Sequence, residues 1–269
     1  MYKLVIFDLD GTLLNPQRAI QKESLDAIEK LRKKGIKVAL ATGRHHTSAL
    51  AYYKELDLDT PMICCNGSYI YDPQNDEFLQ VSALNGKEVR PILKMLKTTK
   101  VESLLYTQRA MTYESLSNGI MDRLQKGGSS KFKPVFEKVN SLEEFIKDGD
   151  LIWKMVTLNE DRDYLENLLK DLDPKEFNTE WSWIDQLDIM KAGTTKGKML
   201  LNLLKDLGID SSEVIAFGDN HNDISMLKEA GLGIAMGNSS PIVKENANKV
   251  IGNNDTQAIA QCLNKIFNL

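Results

Sequence analysis

Cysteine is scarce in this chain. Only Cys64, Cys65 and Cys262 occur among 269 residues, and an odd number with two members adjacent is a poor disulfide framework. No CxxC spacing is present, so a zinc site is not expected and three reduced, mostly buried thiols are. No Lys/Arg-rich run stands out and the formal net charge is -4, which argues against a nucleic-acid partner and against an anionic membrane surface. No apolar stretch comes near the roughly 18–20 residues of a membrane-crossing helix. The opening MYKLVIFD lacks the basic start and long apolar run of a secretion signal, because Asp8 stops the run; a cytoplasmic location is the expectation. Internal repeats and low-complexity segments are absent as well.

Against those absences stands an ordinary globular composition, 42% hydrophobic and 27% charged, in a length that suits one large domain or two modest ones. Short apolar runs alternate with amphipathic patterns. Residues 3–7, 36–41 and 62–65 read as buried strands. Residues 22–34 and 47–56 read as helices, the first with Leu25, Ile28 and Leu31 at helical spacing and Gly35 as its stop. A βαβαβ beginning argues for a parallel sheet with helices on both faces.

From about residue 82 to 186 the rhythm changes. A helix over 87–97, awkwardly holding Pro91, is followed by a candidate hairpin of 102–106 and 110–114, a strand over 151–158 and a helix over 163–172. A half-buried strand carries Trp181 and Trp183. Beyond Ile189 the α/β alternation returns. Helices are expected over 195–207 (capped by Thr194 or Thr195 and stopped by Gly208), near 223–230, after Ser240-Pro241 and over 255–267. Strands are expected over 214–217, 232–236 and 249–251. The predicted organisation is an α/β domain in two pieces, 1–81 and 187–269, with an α+β domain, 82–186, inserted between them.

Four polar groups fall at expected strand ends or helix starts. Asp8-Leu9-Asp10-Gly11-Thr12-Leu13 follows the first strand, and in a parallel sheet the crevice at the strands' carboxyl ends is where sites form. Two carboxylates at i and i+2 both reach that crevice when Gly11 lets the chain bend; an Asp-rich calcium loop is the competing reading, but Pro16, Gln17 and Arg18 do not supply its further ligands. Ala41-Thr42-Gly43-Arg44 offers a hydroxyl and backbone N–H groups ahead of a helix, a pattern that suits a phosphate or a plain strand-to-helix turn. Lys196 opens a helix, the end that normally repels cations, so an anion in front of it or simple solvation has to explain it. Gly218-Asp219-Asn220-His221-Asn222-Asp223 places more carboxylates after a strand, as metal ligands, as helix caps, or as both.

Taken together, these segments resemble the haloacid dehalogenase superfamily of aspartate-nucleophile phosphohydrolases, specifically its Cof-type branch. The matching pieces are DLDGTL at 8–13, ATGR at 41–44, NG at 66–67, KG at 196–197, GDNHND at 218–223 and AMGN at 235–238. The resemblance implies a Rossmann-like parallel α/β core carrying an inserted α+β cap of the C2B type. It implies Asp8 as nucleophile and Mg²⁺ ligand, and Asp10 as general acid/base whose backbone carbonyl also meets the metal. Leu9, Thr42, Gly43, Lys196 and Asn222 would bind the phosphoryl group, and Asp219 and Asp223 would complete the metal site. His221 stands where the family varies and is read as a solvated loop residue. The implied activity is Mg²⁺-dependent hydrolysis of phosphate monoesters of small metabolites, sugar phosphates or phosphorylated cofactors, with the insert as a mobile, substrate-selecting cap.

Other readings fit less of the sequence. A receiver-type signalling domain would be about half this length and would lack Asp10. A phosphomutase of the same superfamily stays open, as does a non-catalytic sugar-phosphate sensor, although the latter is expected to lose Asp8 or Asp10. The motifs do not choose the substrate or the oligomeric state.

Overall fold

The computed structural model describes residues 1–125 and 133–269. In chain order the elements are β1 (Leu4–Phe7), α1 (Lys22–Lys33), β2 (Lys37–Leu40), α2 (His46–Glu55), β3 (Met62–Cys64), β4 (Tyr69–Asp72) and β5 (Glu77–Val81). They continue with α3 (Gly86–Leu96), β6 (Glu102–Thr107), β7 (Met111–Tyr113), α4 (Asn118–Gln125), β8 (Phe136–Lys138), α5 (Leu142–Phe145), β9 (Ile152–Leu158), α6 (Arg162–Leu169), β10 (Phe177–Trp183) and β11 (Gln186–Lys191). Last come α7 (Lys196–Leu207), β12 (Val214–Gly218), α8 (Ile224–Glu229), β13 (Leu232–Ala235), α9 (Pro241–Glu245), β14 (Lys249–Val250) and α10 (Ala258–Phe267). Two compact units result: Met1–Gly43 with Tyr52–Gln80 and Thr195–Leu269, and Arg44–Ala51 with Val81–Thr194.

The first unit is built on a five-stranded sheet in the order β14-β13-β12-β1-β2, parallel throughout. Its central strands are short and wholly apolar, LVIF in β1 and VIAFG in β12, as expected of strands buried on both faces. Leu4, Ile6, Ala39, Val214 and Ala216 share one core with Met199, Leu200, Leu203 and Leu204 of α7 and with Met226 and Leu227 of α8. Phe7 and Phe217 stack at 4.9 Å between ring centres. Helix α1 packs on β2 and against α10. A second sheet of this unit, in the order β3-β4-β5, runs into the connection to the other unit.

Register matters most for the site. Leu4–Phe7 pairs in parallel with Val214–Phe217 on one side and with Lys37–Leu40 on the other. Three adjacent strands therefore end at the same edge, and the loops that follow them begin at Asp8, Asp219 and Ala41.

The second unit holds a six-stranded sheet in the order β10-β11-β9-β6-β7-β8, antiparallel except for the β7–β8 pair. Its apolar core joins Leu105, Met155, Leu187 and Ile189 of the sheet to Val89, Ile92 and Leu93 of α3, Leu142 of α5 and Leu165 and Leu169 of α6. The expected hairpin of β6 and β7 is present. A full capping box between Asn85 and Glu88 starts α3, and Pro91 lies inside the helix. Two segments fall differently from the chain's apparent rhythm. β11 pairs with β9 and β10, so residues 187–191 belong to this sheet and not to the returning α/β piece. The helix expected over 163–172 spans only Arg162–Leu169. Among the described residues no helix is long and apolar enough to cross a membrane, and all three cysteines are free and buried.

Candidate active site

The site assembles within the first unit. Asp8 leaves β1 with its N–H donating to Phe217 O at 3.0 Å, and the chain turns back at once through Thr12 N–H to Leu9 O and Leu14 N–H to Leu9 O. Gly11 makes this turn possible in two ways. Its φ of +81° suits glycine, and a Cβ there would lie 2.2 Å from Asp219 Oδ2. Thr12 Oγ1 donates to Asp219 Oδ1 at 2.7 Å, and Asn238 Nδ2 donates to Gly11 O at 2.8 Å. The loops after β1, β12 and β13 are thereby tied to each other.

After β12 the chain forms a single tight turn, His221–Asp223, capped by Asn220. Asp223 takes the reciprocal part in the box that Asn220 begins, and it also stands at the N-cap position of α8, without a side-chain cap bond there. Its Oδ2 accepts the N–H groups of Asp219 at 2.9 Å and Asn220 at 3.0 Å, which leaves Oδ1 directed elsewhere. Gly218 lets this happen, since a Cβ there would collide with the Asp223 side chain at 2.5 Å. His221 is exposed, with its ring 3.4 Å from Ser240 Oγ.

Lys196 is the first residue of α7, whose N-cap is Thr195, accepting from Lys198 N–H at 3.1 Å. The Lys196 side chain is fully buried, and its Nζ is 2.6 Å from Asp8 Oδ1 and 2.6 Å from Asp223 Oδ1. Gly197 is pinned beside it by its N–H to Ser225 Oγ at 3.0 Å. Sequence reasoning left open whether this lysine is solvated or faces an anion, and it faces two.

Asp8, Asp219 and Asp223 each bring a carboxylate oxygen to within 4.8 Å of the others. Three carboxylates against one ammonium leave two negative charges uncompensated in a buried place, and the proton affinities reflect it. Burial pushes the Asp8 carboxyl well above the usual range; Lys196 opposes this, while Asp223 and Asp219 add to it. Burial, then Asp223, push Asp219 up to about 7, against the Thr12 hydrogen bond and Lys196 and with a further push from Asp10. For Lys196 burial works downward, but Asp223 and Asp8 outweigh it and hold the ammonium firmly protonated. An all-oxygen cluster with surplus negative charge fits a hard divalent cation such as Mg²⁺. The carboxylate of Asp10 is not one of the three.

Thr42 and Gly43 follow β2. Thr42 N–H is spent on Ile63 O at 2.9 Å, and Thr42 O accepts from Asn66 N–H at 3.1 Å. Asn222, 9% exposed, donates from Nδ2 to Asn66 Oδ1 at 2.9 Å. Every core residue singled out in the sequence therefore lies in the loops after β1, β2 and β12 or at the start of α7. Thr12, Asn66, Ser225 and Asn238 support the site and were not singled out individually, although three of them lie in the quoted motifs.

Residues 5–263 match the family described as haloacid dehalogenase-like hydrolase. The chain is 37% identical to the pyridoxal phosphate phosphatase YbhA of Escherichia coli K12, over 96% of each chain. It is 28% identical to the 5-amino-6-(5-phospho-D-ribitylamino)uracil phosphatase YitU of Bacillus subtilis, over 99% of this chain and 98% of the other. The crystal structure of a haloacid dehalogenase-like hydrolase from Bacteroides thetaiotaomicron superposes with a TM-score of 0.87 at 26% identity, covering 99% of this chain and 100% of that one. With its parallel α/β core and the buried carboxylates at that core's strand ends, the chain belongs to the haloacid dehalogenase-like hydrolases and is a phosphatase of their Cof-type branch.

Proposed function

We propose that the chain hydrolyses phosphate monoesters of small metabolites in two steps through a phospho-aspartate on Asp8, with Mg²⁺ held by Asp8, Asp219, Asp223 and the backbone carbonyl of Asp10. The observation that carries this reading is the Lys196 ammonium set between Asp8 and Asp223, with Asp219 completing a cluster of three carboxylates beside it. When bound, the divalent cation offsets the repulsion between a carboxylate and a phosphate dianion.

The chain's own residues do the rest. Thr42, the Gly43 and Leu9 N–H groups, Asn222 and Lys196 hold the phosphoryl oxygens, so that positioning and charge stabilisation supply most of the rate. Asp8 forms a bond to phosphorus as the bond to the leaving oxygen breaks, and Asp10 hands that oxygen a proton. Asp10 then takes a proton from water as the water attacks phosphorus, which releases inorganic phosphate and restores the Asp8 carboxylate. Lys196, firmly protonated, keeps Asp8 oriented and its charge balanced.

The core recognises what all phosphate esters share, so preference among them is assigned to the second unit. Pyridoxal phosphate, the substrate named for the 37% identical relative, is the first compound to assay, followed by phosphorylated ribityl and sugar compounds. Phosphate release from that panel, compared between wild type and Asp8→Asn, tests the proposal. Release that persists at the wild-type rate in the variant refutes it.

A further inference from the structure

A backbone irregularity lies next to the phosphate-binding residues. Cys65, Asn66 and Gly67 follow β3 with φ of 50°, 58° and 95°, three successive residues in the left-handed region. Glycine enters that region freely and asparagine tolerates it, so Cys65 holds the strained conformation, and all three residues are buried. Strain of this kind persists only where the surroundings impose it.

The surroundings are the three phosphate-binding segments. Asn66 N–H donates to Thr42 O at 3.1 Å. Asn66 Oδ1 accepts from Asn222 Nδ2 at 2.9 Å and occupies space that only a glycine at 43 leaves open, since a Cβ on Gly43 would lie 2.7 Å from it. A Cβ on Gly67 would lie 2.3 Å from Thr195 O and 3.0 Å from Lys196 N. One turn therefore abuts Thr42-Gly43, Asn222 and the start of α7.

We infer that the left-handed turn at Cys65–Gly67 is a positioning device for phosphate binding, in which Asn66 fixes the side-chain amide of Asn222 with its nitrogen toward the phosphoryl group. This rests on the role proposed above for Asn222. An amide presents either its oxygen or its nitrogen to a neighbour, and a phosphate dianion accepts hydrogen bonds only. Asn66 Oδ1 takes one Nδ2 hydrogen and leaves the second to be donated. The Asn222 oxygen, buried and without a hydrogen-bond partner among the described residues, does nothing to fix the orientation itself.

The test is a double-mutant cycle of Asn66→Gly and Asn222→Ala in the full chain, assayed with Mg²⁺ on an aryl phosphate and with inorganic phosphate as competitive inhibitor. Glycine adopts the left-handed conformation without strain, so Asn66→Gly removes the carboxamide and keeps the turn. The expected result is a rise of about 10-fold in KM and in the inhibition constant of phosphate, the scale of one hydrogen bond to a charged group. The expected kcat stays within about twofold of wild type, since the contact serves ground and transition states alike. Asn222→Ala is expected to raise the inhibition constant of phosphate by at least as much, and the double variant to raise it no further than Asn222→Ala alone. Phosphate inhibition reports phosphate binding whichever group is the nucleophile, so a wrong assignment of Asp8 and a wrong inference here give different results. An inhibition constant within about twofold of wild type for Asn66→Gly overturns the inference, as do single effects that multiply in the double variant.

Discussion

Asp8 and Lys196, 188 positions apart in sequence, meet through a 2.6 Å contact between a carboxylate oxygen and an ammonium that is wholly withdrawn from solvent. The contact joins the end of β1 to the first residue of α7, and the same ammonium reaches Asp223. An ion pair this deep gains little net stability against its desolvation cost, but removing one partner strands the other. We predict that Lys196→Met lowers kcat/KM by about 10²-fold or more, from lost charge stabilisation. It should also lower unfolding stability by about 3–5 kcal/mol, from the stranded carboxylates. Steady-state kinetics and urea melts of the metal-free protein check both; a variant as stable as wild type contradicts the second.

Asp8→Asn is expected to reduce turnover by at least about 10³-fold, because an amide of nearly the same shape is a far poorer nucleophile. Its circular dichroism should match wild type, since Lys196 keeps Asp223 as a partner. Trapped phosphate on the wild-type chain and none on the variant is the corroborating result from acid-quenched turnover with labelled substrate.

Mg²⁺ binding should release protons. Burial and mutual repulsion hold Asp219 at about 7 and Asp8 well above its ordinary range in the metal-free site, and a carboxylate must lose its proton to become a ligand. Affinity for Mg²⁺ is therefore predicted to tighten as pH rises through about 7. Calorimetry at pH 6 in two buffers of different ionisation heat reads the release directly. Equal heats in both buffers contradict the prediction, and full phosphate release after exhaustive chelation contradicts the metal's role.

Much of this site was legible because its parts sit at boundaries that local sequence marks. An apolar run ending in Asp, as at Phe7-Asp8 and Phe217-Gly218-Asp219, announces a strand and the group it delivers at once. What stayed hidden depends on pairing at long range. Nothing local shows that Thr12 bonds Asp219, or that Asn66 holds Asn222 from 156 positions away. β11 lies across the boundary expected between 186 and 187 for a related reason: its QLDIMK pattern suits either sheet, and only its antiparallel partners β9 and β10 decide. The second unit hides a buried charge in the same way. Lys154 and Asp188 form an ion pair 2.5 Å long inside its sheet, on strands whose sequences each read as ordinary.

Acid stability provides a last prediction, and it falls on two residues of the second unit that no motif marks. The rings of His45 and His46 lie 4.1 Å apart. His45 is fully buried between Thr47 Oγ1 at 2.8 Å and Thr107 O at 2.8 Å. Burial, then the neighbouring His46, lower its pKa to about 3, against the Thr107 hydrogen bond and with a smaller push from Lys154. Burial lowers His46 to about 4. In the unfolded chain both titrate near their ordinary 6.5. Above pH 6.5 neither state binds these protons, and the pair contributes no pH dependence. As pH falls below that, the unfolded chain takes up protons that the folded one refuses, so stability falls. The slope is about 1.4 kcal/mol per pH unit for each histidine, down to about pH 4 for His46 and about pH 3 for His45. The site carboxylates act in the opposite sense. With folded pKa values raised, Asp8 and Asp219 favour folding at low pH and lose that contribution as pH rises toward 7. They are common to wild type and variant, so the informative quantity is the difference between wild type and His45→Gln/His46→Gln. Urea unfolding of both at pH 7.5, 6.0 and 5.0 should show wild type losing stability relative to the variant on acidification, by about 1–3 kcal/mol between the two lower values. Parallel curves would place both imidazoles outside the acid response and refute the burial argument made for them.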